Sequence, residues 1–136
     1  MKLHYFAGYA RAEPLRLMLH HAGVQYEEVF VEEAEWPKVK PTMPGGSLPV
    51  LELPTGEKLG QTCSLARYLG RLHGYQPTDP TLAYLSDALA ADFNEAVLMA
   101  FLAAATAATA EAKAQAVNQL VAEVLPKFLD KAEKSL

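Results

Sequence analysis

A tyrosine at position 5 stands near the end of the first apolar run of the chain, which spans Leu3 to Phe6 and gives way to a loop at Gly8. The C-terminal ends of strands are where open α/β sheets present groups to ligands. A phenol in that place can donate a hydrogen bond to an anion, which makes Tyr5 the first candidate for chemistry; a strand aromatic packed in the core is the alternative. Gln61 and Thr62 form a second candidate, at the start of an expected helix. The unpaired N–H groups and the dipole of a helix start make an anion site, although Thr62 reads equally well as a plain N-cap. Cys63 follows, expected as a small buried side chain. His20 and His21 project about 100° apart on a helix, so they do not chelate. No metal-ligand spacing is found, and no Cys-x-x-Cys follows the first strand, which disfavours a thiol–disulfide redox protein.

These residues need elements to hold them. Glu13 and Pro14 suit a first helical turn, because a carboxylate favours the positive end of the dipole and proline lacks a donor that would be orphaned there. Gly23 closes that helix, and 24–31, rich in valine and aromatics, predicts a second strand and hence a βαβ unit. A polar, proline-rich loop is predicted up to Ser47. Residues 49–53 and 58–59, joined by 54–57, predict a hairpin, and 62–73 a helix stopped at Gly74. The stretch 75–80 carries two prolines and an Asp-Pro step, and reads as a linker. Beyond it, Leu82, Leu85, Leu89, Phe93, Val97 and Phe101 recur at helical spacing, as do Val117, Leu120, Val121, Val124, Phe128 and Leu129. A helical hairpin is expected, with its second helix bent at Pro126.

The chain has 136 residues and a net charge of −4 with both signs dispersed, so it offers no basic stripe for nucleic acid. The alanine-rich stretch 96–110 is interrupted by threonines and reads as too weakly apolar for a membrane span. The first residues show no basic segment leading into a long apolar core, so no secretory leader is read. One cysteine rules out an internal disulfide framework and suits a reducing compartment. A cytoplasmic protein is the expectation.

The segments KLHYF (2–6), SLPVLEL (47–53) and GQTCSLARYL (60–69) resemble the glutathione-binding half of a glutathione transferase. RAEPLRLMLHHAGVQYEEV (11–29), EWPKVKPTMP (35–44) and VAEVLPKFLDKAEKSL (121–136) extend the likeness over nearly the whole chain, nearest the sigma-type class. The resemblance implies an α/β thioredoxin-like N-terminal domain (βαβ then ββα) over 1–74, the linker 75–80, and over 81–136 a partial all-α C-terminal domain, truncated to a helical hairpin.

It also implies roles. Tyr5 would hold the thiolate of reduced glutathione, with Arg11 beside it tuning that thiolate. Leu48-Pro49 would be a cis bond exposing the main chain of Leu48 to the cysteinyl part. Gln61 and Thr62 would take the γ-glutamyl carboxylate, Trp36 and Lys40 the glycyl carboxylate, and Glu95 would reach in from a second subunit. No metal is implied. Two departures stand out: the family's usual Gly-Arg-Gly-Arg is Gly8-Tyr9-Ala10-Arg11 here, and its Pro-Phe-Gly-Gln is Pro44-Gly45-Gly46-Ser47. Two functions are therefore expected: a transferase or isomerase using glutathione, in a homodimer, or a non-catalytic subunit whose exposed hairpin docks into a larger assembly.

Overall fold

A computed structural model describes residues 1–135, which form two compact units, Met1–Gln76 and a second that begins at Pro77. In the first unit, β1 (Lys2–Tyr5), α1 (Glu13–His21), β2 (Glu27–Phe30), α2 (Trp36–Val39), β3 (Val50–Glu52), β4 (Lys58–Gly60) and α3 (Thr62–Leu72) follow one another. The sheet order is β2-β1-β3-β4, with β1 parallel to β2 and antiparallel to β3, and β3 antiparallel to β4. This is the thioredoxin-like βαβ-ββα arrangement.

Period-two alternation sends Leu3 and Tyr5 to one face of the sheet. They join a core with Leu15 and Leu19 of α1 and Leu65 and Leu69 of α3, two i,i+4 pairs that form the apolar stripes of those helices. Leu51 lies directly opposite Leu3 in the β1–β3 register and is fully buried. On the other face His4 is buried, its Nε2 3.0 Å from Glu52 Oε2 across the sheet. At the end of α1, Gly23 takes φ 67°, and Gly23 N–H donates to His20 while Val24 N–H donates to Leu19, both at 3.0 Å. This pair of bonds is the Schellman closure that glycine permits.

Several boundaries differ from expectation. Strand β2 is Glu27–Phe30 and β3 is Val50–Glu52, both shorter than predicted, because pairing extends only as far as the four residues of β1. The predicted loop before Ser47 contains α2 and two 3-10 turns, Lys40–Thr42 and Pro44–Gly46. Pro37, Pro41 and Pro44 each stand in a first turn, where a missing N–H costs nothing, so the prolines open turns here instead of breaking them.

The second unit is a pair of helical runs, as the spacing predicts. The first contains α4 (Pro80–Asp92), a π-helical turn (Phe93–Leu98) and α5 (Met99–Ala105); the second contains α6 (Ala110–Gln119), a π-helical turn (Leu120–Val124) and α7 (Leu125–Lys134). The second π turn directly precedes Pro126, whose ring cannot sit over a regular i−4 carbonyl. Asp79 caps α4 by accepting from the N–H groups of Thr81 and Leu82, both at 2.9 Å. Asp79→Ala is expected to destabilise this unit by about 1 kcal/mol, measured as a shift in its urea midpoint; an unchanged midpoint would contradict the cap. Phe93 meets Phe128 edge-on with centroids 5.7 Å apart, and Lys131 pairs with Asp92.

Among the described hydrophobic residues of the hairpin only Val97 and Ala104 are buried, while Met99, Phe101, Val121 and Leu129 stay at least half exposed. By length and composition the run Pro80–Ala105 is also apolar enough to cross a membrane, an 18-residue window within it having a mean hydropathy of 1.5. The reading drawn from 96–110 took only the last part of this run together with Thr106 and Thr109, and so did not weigh the full length of the helical run.

Candidate functional site

The register places the candidate residues of the first unit at one end of its sheet. Tyr5 is the last residue of β1; His4 pairs with Val50, so Pro49 lies at the same end; Val50 pairs with Gly60, which brings Gln61 and the start of α3 there too. Phe30, paired with Tyr5, opens the path to Trp36 and Lys40.

Tyr5 is 7% exposed, and its hydroxyl accepts a hydrogen bond from the Arg11 N–H at 3.3 Å. The two readings of this tyrosine hold together: the ring packs in the core and the oxygen reaches the β1–α1 loop. Arg11 meets Tyr5 through its main chain, and its side chain is exposed. Next to it Ala10 has φ 35°, a left-handed value that favours glycine, and it stands where the resembling sequences carry glycine. Left-handed backbone costs an alanine about 1–2 kcal/mol, against roughly 0.5–1 kcal/mol of extra entropy loss for glycine. Ala10→Gly is therefore expected to stabilise the protein by a few tenths to about 1 kcal/mol, read as a higher melting temperature; a lower one would contradict the strain.

Sequence reasoning missed Arg16. Its Nε donates to Glu28 at 2.6 Å, and its Nη1 donates to Gly8 O at 2.8 Å, Glu13 at 3.0 Å and Tyr9 O at 3.5 Å. The guanidinium lies 5.9 Å from the centre of the Tyr5 ring, within cation–π range. Burial works against its charge, but the hydrogen bonds and attraction of Glu28 and Glu13 outweigh this and hold its pKa above the ordinary value. Burial and the neighbouring Glu28 likewise push the Tyr26 hydroxyl up, with Arg16 opposing. The Glu13–Arg16 spacing of three is a sequence signal for half of this cluster. A groove of about 430 Å³ opens beside it, lined by Ala7, Gly8, Tyr9, Glu13, Arg16, Glu28 and Phe30.

Phe6, also unforeseen, links two candidates. Its ring is 5.8 Å from that of Tyr5 and 5.6 Å from that of Trp36, the latter in an edge-on contact at 77°. Lys40 follows α2, and its stem runs along Gly46: a Cβ there would lie 3.4 Å from Lys40 Cε. At Gly45 a Cβ would lie 3.9 Å from Ser47 Oγ and 4.0 Å from Gln61 Nε2, so the 44–47 turn, Lys40 and the start of α3 form one cluster. Gly60 allows Pro44 to approach, since a Cβ would come within 3.3 Å of it.

The Leu48-Pro49 bond is cis, both residues are buried, and the strand ladder begins only at Val50. Gln61, not Thr62, is the N-cap of α3, at φ 72° and ψ 106° with no capping bond from its side chain. This corrects the plain-cap reading of Thr62, which is the first helical residue. The N–H groups of the first turn of α3 are left without intrahelical partners by helix geometry. Cys63, expected to be buried, is half-buried. Glu95 lies exposed in the Phe93–Leu98 turn of the second unit. Among the described residues no three His, Cys, Asp or Glu side chains gather as a metal site.

Residues 1–71 match the family described as Glutathione S-transferase, N-terminal domain. The chain belongs to the glutathione S-transferase family. Glutathione S-transferase S1 of Drosophila melanogaster is 35% identical over 137 residues, covering 98% of this chain and 53% of that protein. Hematopoietic prostaglandin D synthase of Gallus gallus is 38% identical over 98 residues, covering 72% of this chain and 49% of that protein. Among solved structures, prostaglandin synthase D of Nilaparvata lugens aligns with a TM-score of 0.85 at 29% identity, over 96% of this chain and 64% of that one. The sigma class GST of Fasciola hepatica aligns at 0.79 and 26%, over 98% and 64%. The chain thus spans about half the length of the curated glutathione S-transferase relatives it matches and under two thirds of these solved chains.

Proposed function

We propose that this chain binds reduced glutathione at the sheet end described above and activates its thiolate for conjugation or isomerisation, with Tyr5 as the donor. The observation that carries this reading is the Arg11–Tyr5 bond. A phenolic hydroxyl has one proton and two acceptor sites. With the Arg11 N–H on an acceptor site, the proton remains for an outside acceptor, and the incoming bond polarises it. A free thiol ionises near about pH 8.5, so a donor at the sulfur is what a thiolate at neutral pH requires.

The remaining assignments follow from where the groups stand around that sheet end. The main chain of Leu48, outside the ladder, suits the peptide part of glutathione. The start of α3 with Gln61 and Thr62 suits the γ-glutamyl carboxylate, and Trp36 with Lys40 the glycyl carboxylate. Glu95 would serve a second subunit's site, and a homodimer or larger assembly would cover the exposed apolar residues of the hairpin. A cytoplasmic setting, rich in reductant, fits a chain with one cysteine.

Calorimetric titration of reduced glutathione into the folded chain tests the proposal. Saturable binding between micromolar and millimolar concentrations supports it. A folded chain that takes up no glutathione would instead favour a docking subunit with a vestigial site.

A further inference from the structure

We propose that Arg16 is the positioning residue of this site, clamping the β1–α1 loop so that the Arg11 N–H stays on the Tyr5 hydroxyl. The inference rests on the reading of Tyr5 as thiolate donor. One guanidinium ties three elements together: the loop through the carbonyls of Gly8 and Tyr9, helix α1 through Glu13, and strand β2 through Glu28. Both ends of the bond it protects flank that loop, Tyr5 before it and Arg11 within it. The loop needs a clamp, because Ala10 at φ 35° is held in a conformation that its side chain disfavours.

Arg16 acts by geometry. Two carboxylates face one guanidinium, so the cluster carries a net charge of the opposite sign to the arginine, and long-range attraction for a thiolate is cancelled locally. What remains is the planar fork, which reaches a carboxylate and a carbonyl at once; the compact ammonium of lysine does not reproduce this.

The test compares wild type, Arg16→Met, Arg16→Lys and Glu28→Gln. In ligand-free protein, amide exchange at Arg11 should accelerate at least about tenfold in Arg16→Met, and nearly as much in Arg16→Lys, while the amides of Leu51 and Leu69 keep their protection. With glutathione, kcat should fall about tenfold, KM for glutathione should change less than about threefold, and the pH–rate profile should move alkaline by about half a unit to one unit. Glu28→Gln should shift all three readouts in the same direction by less, and together with Arg16→Lys it carries the test should Arg16→Met fail to fold. Unchanged Arg11 exchange, or a lysine variant indistinguishable from wild type, overturns the proposal. If wild type binds no glutathione yet Arg11 exchange accelerates, the clamp stands and the transferase reading falls.

Discussion

Tyr5→Phe is expected to bind reduced glutathione within about threefold of wild type and to conjugate it at least about tenfold more slowly, with losses of about a hundredfold in reach of a single lost donor. The substitution removes one oxygen and leaves the ring, which packs with Leu3, Leu15 and Leu65 in the core. The Arg11 N–H then loses its acceptor, a loop-level cost separable from chemistry by measuring stability alongside rate. The other contacts proposed for glutathione come from Leu48, Gln61, Thr62, Trp36 and Lys40, none of which changes, so KM should hardly move. The bound thiol should also ionise at higher pH, since its anion loses a hydrogen bond. An unchanged rate in a folded variant would remove Tyr5 from the mechanism.

Leu51→Ala carries the largest expected effect on stability, about 2–5 kcal/mol. Leu51 is fully buried in the middle of β3, directly opposite Leu3, in a core shared with the stripes of α1 and α3. Its short strand has little room to collapse into the cavity, because Val50 and Glu52 are pinned in register to both β1 and β4. At roughly 4–8 °C per kcal/mol for a domain of this size, the melting temperature should fall by at least about 8 °C. A loss of only one or two degrees would mean that the sheet repacks freely.

The sheet, α1 and α3 were legible because their signals are local: an apolar run before Gly8, a Glu-Pro helix start at 13–14, and glycine stops at positions 23 and 74. The segment before Ser47 was not, because proline breaks a helix interior and opens a helix start with equal ease, and only the chain beyond it decides which. Gln61 as the cap of α3 was hidden for another reason. A left-handed glutamine is imposed by the chain around it, and nothing in its own chemistry announces it. Arg16 shows a third limit: Glu13 lies three residues away and is readable, whereas Glu28 and the carbonyls of Gly8 and Tyr9 meet it only after β2 has paired with β1. In the hairpin the apolar spacing gave the helices but not their burial, since periodicity marks a face without naming what covers it.

The two outer strands of the sheet, β2 and β4, are four and three residues long, and both carry charge, Glu27 and Glu28 on one and Lys58 on the other. Short, charged borders give a foreign strand few main-chain groups to zip onto. The protein is thus guarded against ribbon-like growth into fibrils, and its self-association in concentrated solution should run through helix surfaces, keeping a helical circular-dichroism signature even as particles enlarge.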